Sequence, residues 1–171
     1  MTKKKSFIRE FILDIIFTSF LILMIIREFS EGDINEITSL MKQLCLLKGK
    51  DFNEERWRKS LTERMFTDSQ SKVIVAFDEK SNPGVLGIAQ CSVKSSGNGF
   101  KFGYVSNIIV LEDKRRTGIG ELIMRNIIDY FKSNHIQSIR LALIPNLDKA
   151  ATILFTKLGF QDILHIYELK I

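Results

Sequence analysis

Apolar positions recur along this chain with two different periods, and the changes of period mark its elements. Ile34, Ile37, Leu40, Met41 and Leu44 return every three or four residues, the spacing of one face of an amphipathic helix. Just ahead of them, Asp33-Ile34-Asn35-Glu36 has the form of a capping box, an acceptor at the cap and Glu three residues on. Gly49 marks a break, and Asn53 is the expected cap of a second helix through Trp57, Leu61 and Met65. Two β-rich runs, 72–78 and 85–94, flank Glu79-Lys80-Ser81-Asn82-Pro83-Gly84 and predict a hairpin. A second turn, Ser95-Ser96-Gly97-Asn98-Gly99, leads into a longer strand over 100–110. The helical period returns over 118–134, with Ile119, Leu122, Ile123, Ile127, Tyr130 and Phe131 inward. A strand over 139–144, a helix opened by Pro145 and Asn146 and closed by Gly159, and a last strand or hairpin over 163–171 complete the pattern. With a first strand beginning near Met24, the order is β-α-α-β-β-β-α-β-α-β, an α+β plan.

The first stretch fits this pattern least. Residues 11–26 read FILDIIFTSFLILMII behind Lys3, Lys4, Lys5 and Arg9, the charge order of a signal anchor. The run is shorter than the roughly 20 residues a spanning helix needs, and Asp14 is costly at bilayer depth. Met24-Ile25-Ile26-Arg27-Glu28-Phe29 reads instead as a start running straight into a strand. The expectation is an apolar extension of uncertain role over 1–23 and one domain over 24–171. A cytoplasmic location is favoured, with membrane anchoring through 11–26 as the alternative.

Composition narrows the picture. A chain of 171 residues suits one well-buried core. A formal charge of +5 suits anionic partners, but the basic residues are spread along the chain and mixed with acids, so no specific nucleic-acid binding is expected. Cys45, Cys91, His135 and His165 have no zinc-ligand spacing, and no metal is expected.

Candidate chemistry gathers over 110–120, where an apolar strand enters a loop with two glycines and a helix begins at once. Backbone N–H groups at such a junction are unpaired and sit at the positive end of the helix dipole, which makes an anion site. Gly118 and Gly120 would let a phosphate approach the main chain, and Arg115 and Arg116 add charge. The loop lacks the GxxxxGK[ST] of a Walker motif and the third glycine of a dinucleotide fingerprint.

These residues resemble the GNAT superfamily of acetyl-CoA-dependent N-acetyltransferases. The family's acyl-CoA loop reads R/Q-x-x-G-x-G/A after an apolar strand, and here Arg115, Gly118 and Gly120 follow Ser106-Asn107-Ile108-Ile109-Val110. Further on, Asn146, Ala150-Ala151, Leu154-Phe155 and Leu158-Gly159-Phe160 are similar to the family's N-x-x-A-x-x-L-Y-x-x-x-G-F segment. The resemblance spans roughly 24–171. It implies the GNAT fold: a mixed, mostly antiparallel central sheet flanked by helices, with acyl-CoA bound at a splay between the central strands. It further implies acetyl-CoA as acyl-donor cosubstrate, its pyrophosphate on the amides of Arg116, Thr117, Gly118, Ile119, Gly120 and Glu121. The pantetheine arm would lie along Ile108, Ile109 and Val110 like an extra strand, with Asn146 on the arm and Phe155 near the thioester sulfur. The implied reaction is direct attack of a primary amine of a small molecule or protein in a ternary complex. A homodimer is left open.

Two positions depart from the family. Many relatives carry a general-base Glu on the strand before the loop; here Tyr104 and Ser106 hold those places, and 100–111 contains no carboxylate. Many relatives carry a thiolate-protonating Tyr where Phe155 stands. Tyr104 and Ser106 are therefore the catalytic candidates, with Tyr167 and Glu168 as weaker ones, and a non-catalytic acyl-CoA-binding or regulatory module is the alternative function. Phe52 and Trp57 are candidate pocket walls, although helix-spaced aromatics more often belong to a core. Glu54, Glu55 and Glu63 could attract a cationic amine, but such a run is usually a solvated face.

Overall fold

A computed structural model describes residues 24–66, 70–143 and 149–163 of the chain. Strand β1 (Met24–Glu28) leads through a short 3-10 turn into helix α1 (Ile34–Leu47), followed by α2 (Glu54–Phe66). Strands β2 (Ser71–Asp78), β3 (Val85–Ser95) and β4 (Lys101–Val110) come next, then α3 (Ile119–Ser133), β5 (Ile139–Leu141) and α4 (Lys149–Lys157). The sheet order is β1-β2-β3-β4-β5. β1 to β4 form an antiparallel meander, and β5 joins β4 in parallel. The expected mixed, mostly antiparallel sheet flanked by helices is what the chain forms.

Strand alternation divides the apolar residues between two cores. Ile74, Ala76, Leu86, Ala89, Cys91 and Val105 project to one face and meet Ile119, Ile123, Met124, Ile127 and Phe131 of α3 and Phe155 of α4. Val73, Val75, Val85, Ile88 and Ile109 project to the other and meet α1 and Leu61 of α2. Gly103 sets how closely α3 approaches β4, since a Cβ there would lie 2.6 Å from the Phe131 ring.

Three helices end alike. In α1, α3 and α4 the residues Gly49, His135 and Gly159 adopt φ of 61°, 57° and 87°. The amides that follow them, of Lys50, Ile136 and Phe160, donate back to the carbonyls of Cys45, Phe131 and Phe155 at 2.9 Å. These are Schellman closures, which satisfy the last free carbonyls of a helix. Gly159 is the expected stop; His135 occupies a glycine's conformation without being one.

The capping box expected at Asp33 with Glu36 forms differently. Asp33 accepts the Ser30 N–H at 2.7 Å, and its side chain makes no cap bond to α1. Glu36 instead accepts the amides of Gly84 (3.2 Å) and Val85 (2.6 Å) at the β2–β3 turn. Those amides need acceptors where the hairpin turns, and Glu36 stands over them. Asn53 does cap α2, accepting the Arg56 N–H at 2.8 Å. The expected strand over 139–144 is seen as 139–141. The segments 1–23 and 164–171, with most of the expected last strand, lie outside the described residues. No helix among the described residues is long and apolar enough to cross a membrane.

Arg27 on β1 grips Asp33 through two bonds of 2.6 and 3.0 Å and so ties the first strand to the start of α1. Burial alone would raise the Asp33 pKa, but Arg27 and the Ser30 N–H and O–H together hold it below the ordinary carboxylate value. A depressed carboxyl contributes stability that is complete above its unfolded pKa, about 3.9, and lost as pH falls through the folded value. Asp33→Ala is expected to cost about 2–3 kcal/mol at neutral pH, discounted because Arg27 is partly exposed. Denaturant unfolding across pH should show the gap between wild type and variant closing in acid.

Candidate active site

The loop singled out by its glycines joins β4 to α3. After Val110 comes a 3-10 turn, Glu112–Lys114, then Arg116 at φ 67° and Gly118 at φ 87°. Two left-handed residues within three positions turn the chain sharply enough for α3 to start at Ile119. The first bond of α3 runs from the Leu122 N–H to the Gly118 carbonyl at 3.1 Å. The amides from Arg116 to Glu121 donate to no acceptor among the described residues. They are the unspent donors of a helix start, an arrangement suited to phosphate oxygens.

Side chains brace this loop. The Arg115 Nε donates to the Val110 carbonyl at 3.1 Å, and the Thr117 hydroxyl to the Lys114 carbonyl at 2.6 Å. Arg115 therefore folds back onto the end of β4, while Arg116 is exposed and makes no ion pair among the described residues. Glu121 accepts from Arg125 (2.7 Å) and Lys157 (2.6 Å), and these cations, Lys157 foremost, hold its carboxyl below the usual pKa. A negative charge in the first turn is thus neutralised from the side. A Cβ at Gly120 would meet Leu154 (3.4 Å) and Val110 (3.8 Å) at ordinary contact distances, so α3 lies beside α4 and β4 here with room for a methyl group.

β4 offers a second opening beside the loop. Its parallel pairing runs from Gly103↔Ile139 to Val105↔Leu141 and stops, so residues 106–110 have a described strand neighbour only on the β3 side. At the same place β4 carries a bulge. Ile88 stands opposite Ile109 and Gln90 opposite Ser106, leaving Asn107 and Ile108 together opposite Ala89. Asn107 has φ 53°, the left-handed conformation taken by the first residue of a G1-type bulge. Ile108 and Val110 consequently pack toward α3, and Ile109 toward α1.

Tyr104 and Ser106, both half-buried, stand opposite Ser92 and Gln90 on the α1–α2 face. Three residues with no role in the sequence reading join them. Gln90 is only 4 % exposed, and its Oε1 accepts from the Asn107 Nδ2 at 2.6 Å. Lys48, at the end of α1, brings its Nζ to 3.5 Å from the Asn107 Oδ1. Burial first and Lys50 second lower the Lys48 pKa. The available signal was a polar side chain interrupting each of two apolar strands, Gln90 in β3 and Asn107 in β4.

Phe155 is buried in the α3-side core with its ring 5.7 Å from that of Phe160. Asn146, Tyr167 and Glu168 lie outside the described residues. Phe52 and Trp57 pack against the α1-side core, and Glu54 is engaged by Arg58 at 2.8 Å. Burial pushes the Cys91 thiol up to about 11, unsuited to a nucleophile. Among the described residues no three His, Cys, Asp or Glu side chains are placed to hold a metal ion.

A family model, the acetyltransferase (GNAT) family, matches residues 37–160. No curated protein sequence matches the chain. Solved structures share the fold at low identity. A transcriptional regulator from Bacillus halodurans C-125 aligns with TM-score 0.71 and 17% identity, covering 86% of this chain and 99% of that one. A predicted acetyltransferase from Clostridium acetobutylicum, solved with acetyl-CoA, aligns at 0.67 and 19%, covering 86% and 96%. Glucosamine-6-phosphate N-acetyltransferase from Arabidopsis thaliana aligns at 0.69 and 14%, covering 86% and 97%.

The two loop glycines should separate on substitution. Gly118→Ala places a side chain in left-handed backbone and is expected to cost about 1–2 kcal/mol. Gly120→Ala, helical with room for a methyl group, should be neutral or stabilising by up to about 1 kcal/mol. Equilibrium unfolding of both variants measures the difference.

Proposed function

Because this chain belongs to the acetyltransferase (GNAT) family, we propose that it transfers an acetyl group from acetyl-CoA to a primary amine of a small molecule or protein, by direct attack in a ternary complex. The observation that carries this reading is the continuity of two stretches of backbone: the amides of Arg116 to Glu121, which have no acceptor among the described residues, and the side of β4 over 106–110 that has no described strand neighbour. The first suits the pyrophosphate and the second the amide-bearing pantetheine arm along Ile108, Ile109 and Val110. Acetyl-CoA, when bound, supplies the activated thioester. The chain's share is to hold it at a fixed place beside the amine, and proximity of this kind accounts for much of such a reaction's rate.

An attacking amine must be neutral and must lose a proton, while the departing thiolate must gain one. Tyr104 and Ser106 are the side chains of β4 nearest this task, and both face the α1–α2 side, where polar groups gather. The opposite face is closed by Phe131 against Gly103, so the amine approaches from the α1–α2 side. Phe155 supplies bulk and no proton. The carboxylate-free β4 and Phe155 favour, as a second reading, a non-catalytic acyl-CoA-binding module.

Thiol release from acetyl-CoA with a panel of amines distinguishes the two readings, since both require acetyl-CoA binding and only the first requires turnover. Gly118→Trp is expected to reduce acetyl-CoA affinity at least tenfold by calorimetry, because it strains the loop and fills the anion cradle. Unchanged affinity would refute the placement.

A further inference from the structure

The α1–α2 face of the sheet has a polar end that its core does not explain. Val73, Val75, Ile88 and Ile109 fill one end, but the next positions across β2, β3 and β4 are Ser71, Gln90, Ser92, Tyr104 and Ser106. Ser71, Gln90 and Ser92 are all buried. Gln90 stands out because its Nε2 is buried without a hydrogen-bond partner among the described residues. Such a donor costs the fold roughly 1–3 kcal/mol.

The Lys48 contact assigns the orientation of that donor. Lysine can only donate, so the Lys48 Nζ selects the Oδ1 side of Asn107. Asn107 must then present its Nδ2 to Gln90, whose Oε1 accepts it at 2.6 Å. Gln90 is left with its N–H group turned away from the relay and in need of an acceptor. A second orphan has the same polarity: the Trp57 Nε1, on α2, is also buried and unpartnered. Both unsatisfied side-chain atoms are therefore donors. Gln90 stands directly opposite Ser106, where β4 loses β5, and neighbouring strands lie about 4.8 Å apart.

We propose that Gln90 recognises the acceptor: its side-chain N–H, oriented by Lys48 through Asn107, donates to a carbonyl or carboxylate oxygen lying a few bonds from the reacting amine. The acceptor is then an amino-carbonyl compound, as in a free amino acid or a peptide N-terminus, and not a simple polyamine. This rests on the transferase reading above. The donor is buried, so an oxygen that reaches it becomes buried with it. A bond made there is stronger than one at an exposed amide, because the donor's desolvation has already occurred.

The test compares wild type with Gln90→Met on matched amines: an amino acid, a dipeptide beginning with it, and the corresponding decarboxylated amine. Wild type should favour at least one carbonyl-bearing amine in kcat/KM, and either preference supports the proposal while telling the two sources apart. In Gln90→Met that preference should fall roughly tenfold or more, with acetyl-CoA affinity confirming an intact fold. Should the methionine variant misfold, Gln90→Glu keeps an oxygen for Asn107, removes the amide donor, and should show the same loss. Wild-type preference for the decarboxylated amine, or a preference independent of residue 90, overturns this proposal alone. Absence of thiol release with every amine overturns the transferase reading and this proposal with it.

Discussion

In an antiparallel pair, parity decides which face a side chain takes, and one extra residue reverses that assignment for everything beyond it. β4 contains such a residue at Asn107–Ile108, and the far end of the strand depends on it. Without the bulge, Ile108 and Val110 would turn toward α1 and Ile109 toward α3, and both cores would be wrong. With it, Val105, Ile108 and Val110 share the α3 side while Tyr104, Ser106 and Ile109 share the other. The bulge falls where the described pairing with β5 stops, so that edge of β4 begins at an insertion of the kind that bends a strand and increases its local twist.

Asn107 is the residue that makes this affordable. Asparagine tolerates left-handed backbone better than most side chains, and its amide is also the middle of the Lys48–Asn107–Gln90 relay. Backbone conformation and side-chain polarity are thus joined in one residue. A glycine could adopt the same φ but could not carry the relay. An alanine could do neither without strain.

Much of the fold could be read in the sequence because it rests on local periodicity. The apolar stripe of α3 from Ile119 to Phe131 and the stop at Gly159 are repeated in the structure. The strand–glycine–helix junction over 110–120 was legible for the same reason, since strand, glycine and helix follow one another directly. What escaped depends on distant partners. Glu36 has the spacing of a capping residue, yet it bonds the amides of Gly84 and Val85, 48 and 49 positions away. The neighbours that a side chain at Gly120 would meet, Leu154 and Val110, likewise come from other elements and could not be read from the loop itself. The unsatisfied amide of Gln90 has no counterpart in any local pattern, because it arises from a bond between two strands and a helix end.

The strand order also fixes how the domain is presented to its surroundings. The described fold begins with β1, which among the described residues pairs only with β2, and the half of β4 without a described second neighbour lies three strand intervals across the sheet, about 14 Å. A strand added to the described outer edge of β1 would therefore extend the sheet on the flank away from residues 106–110 of β4.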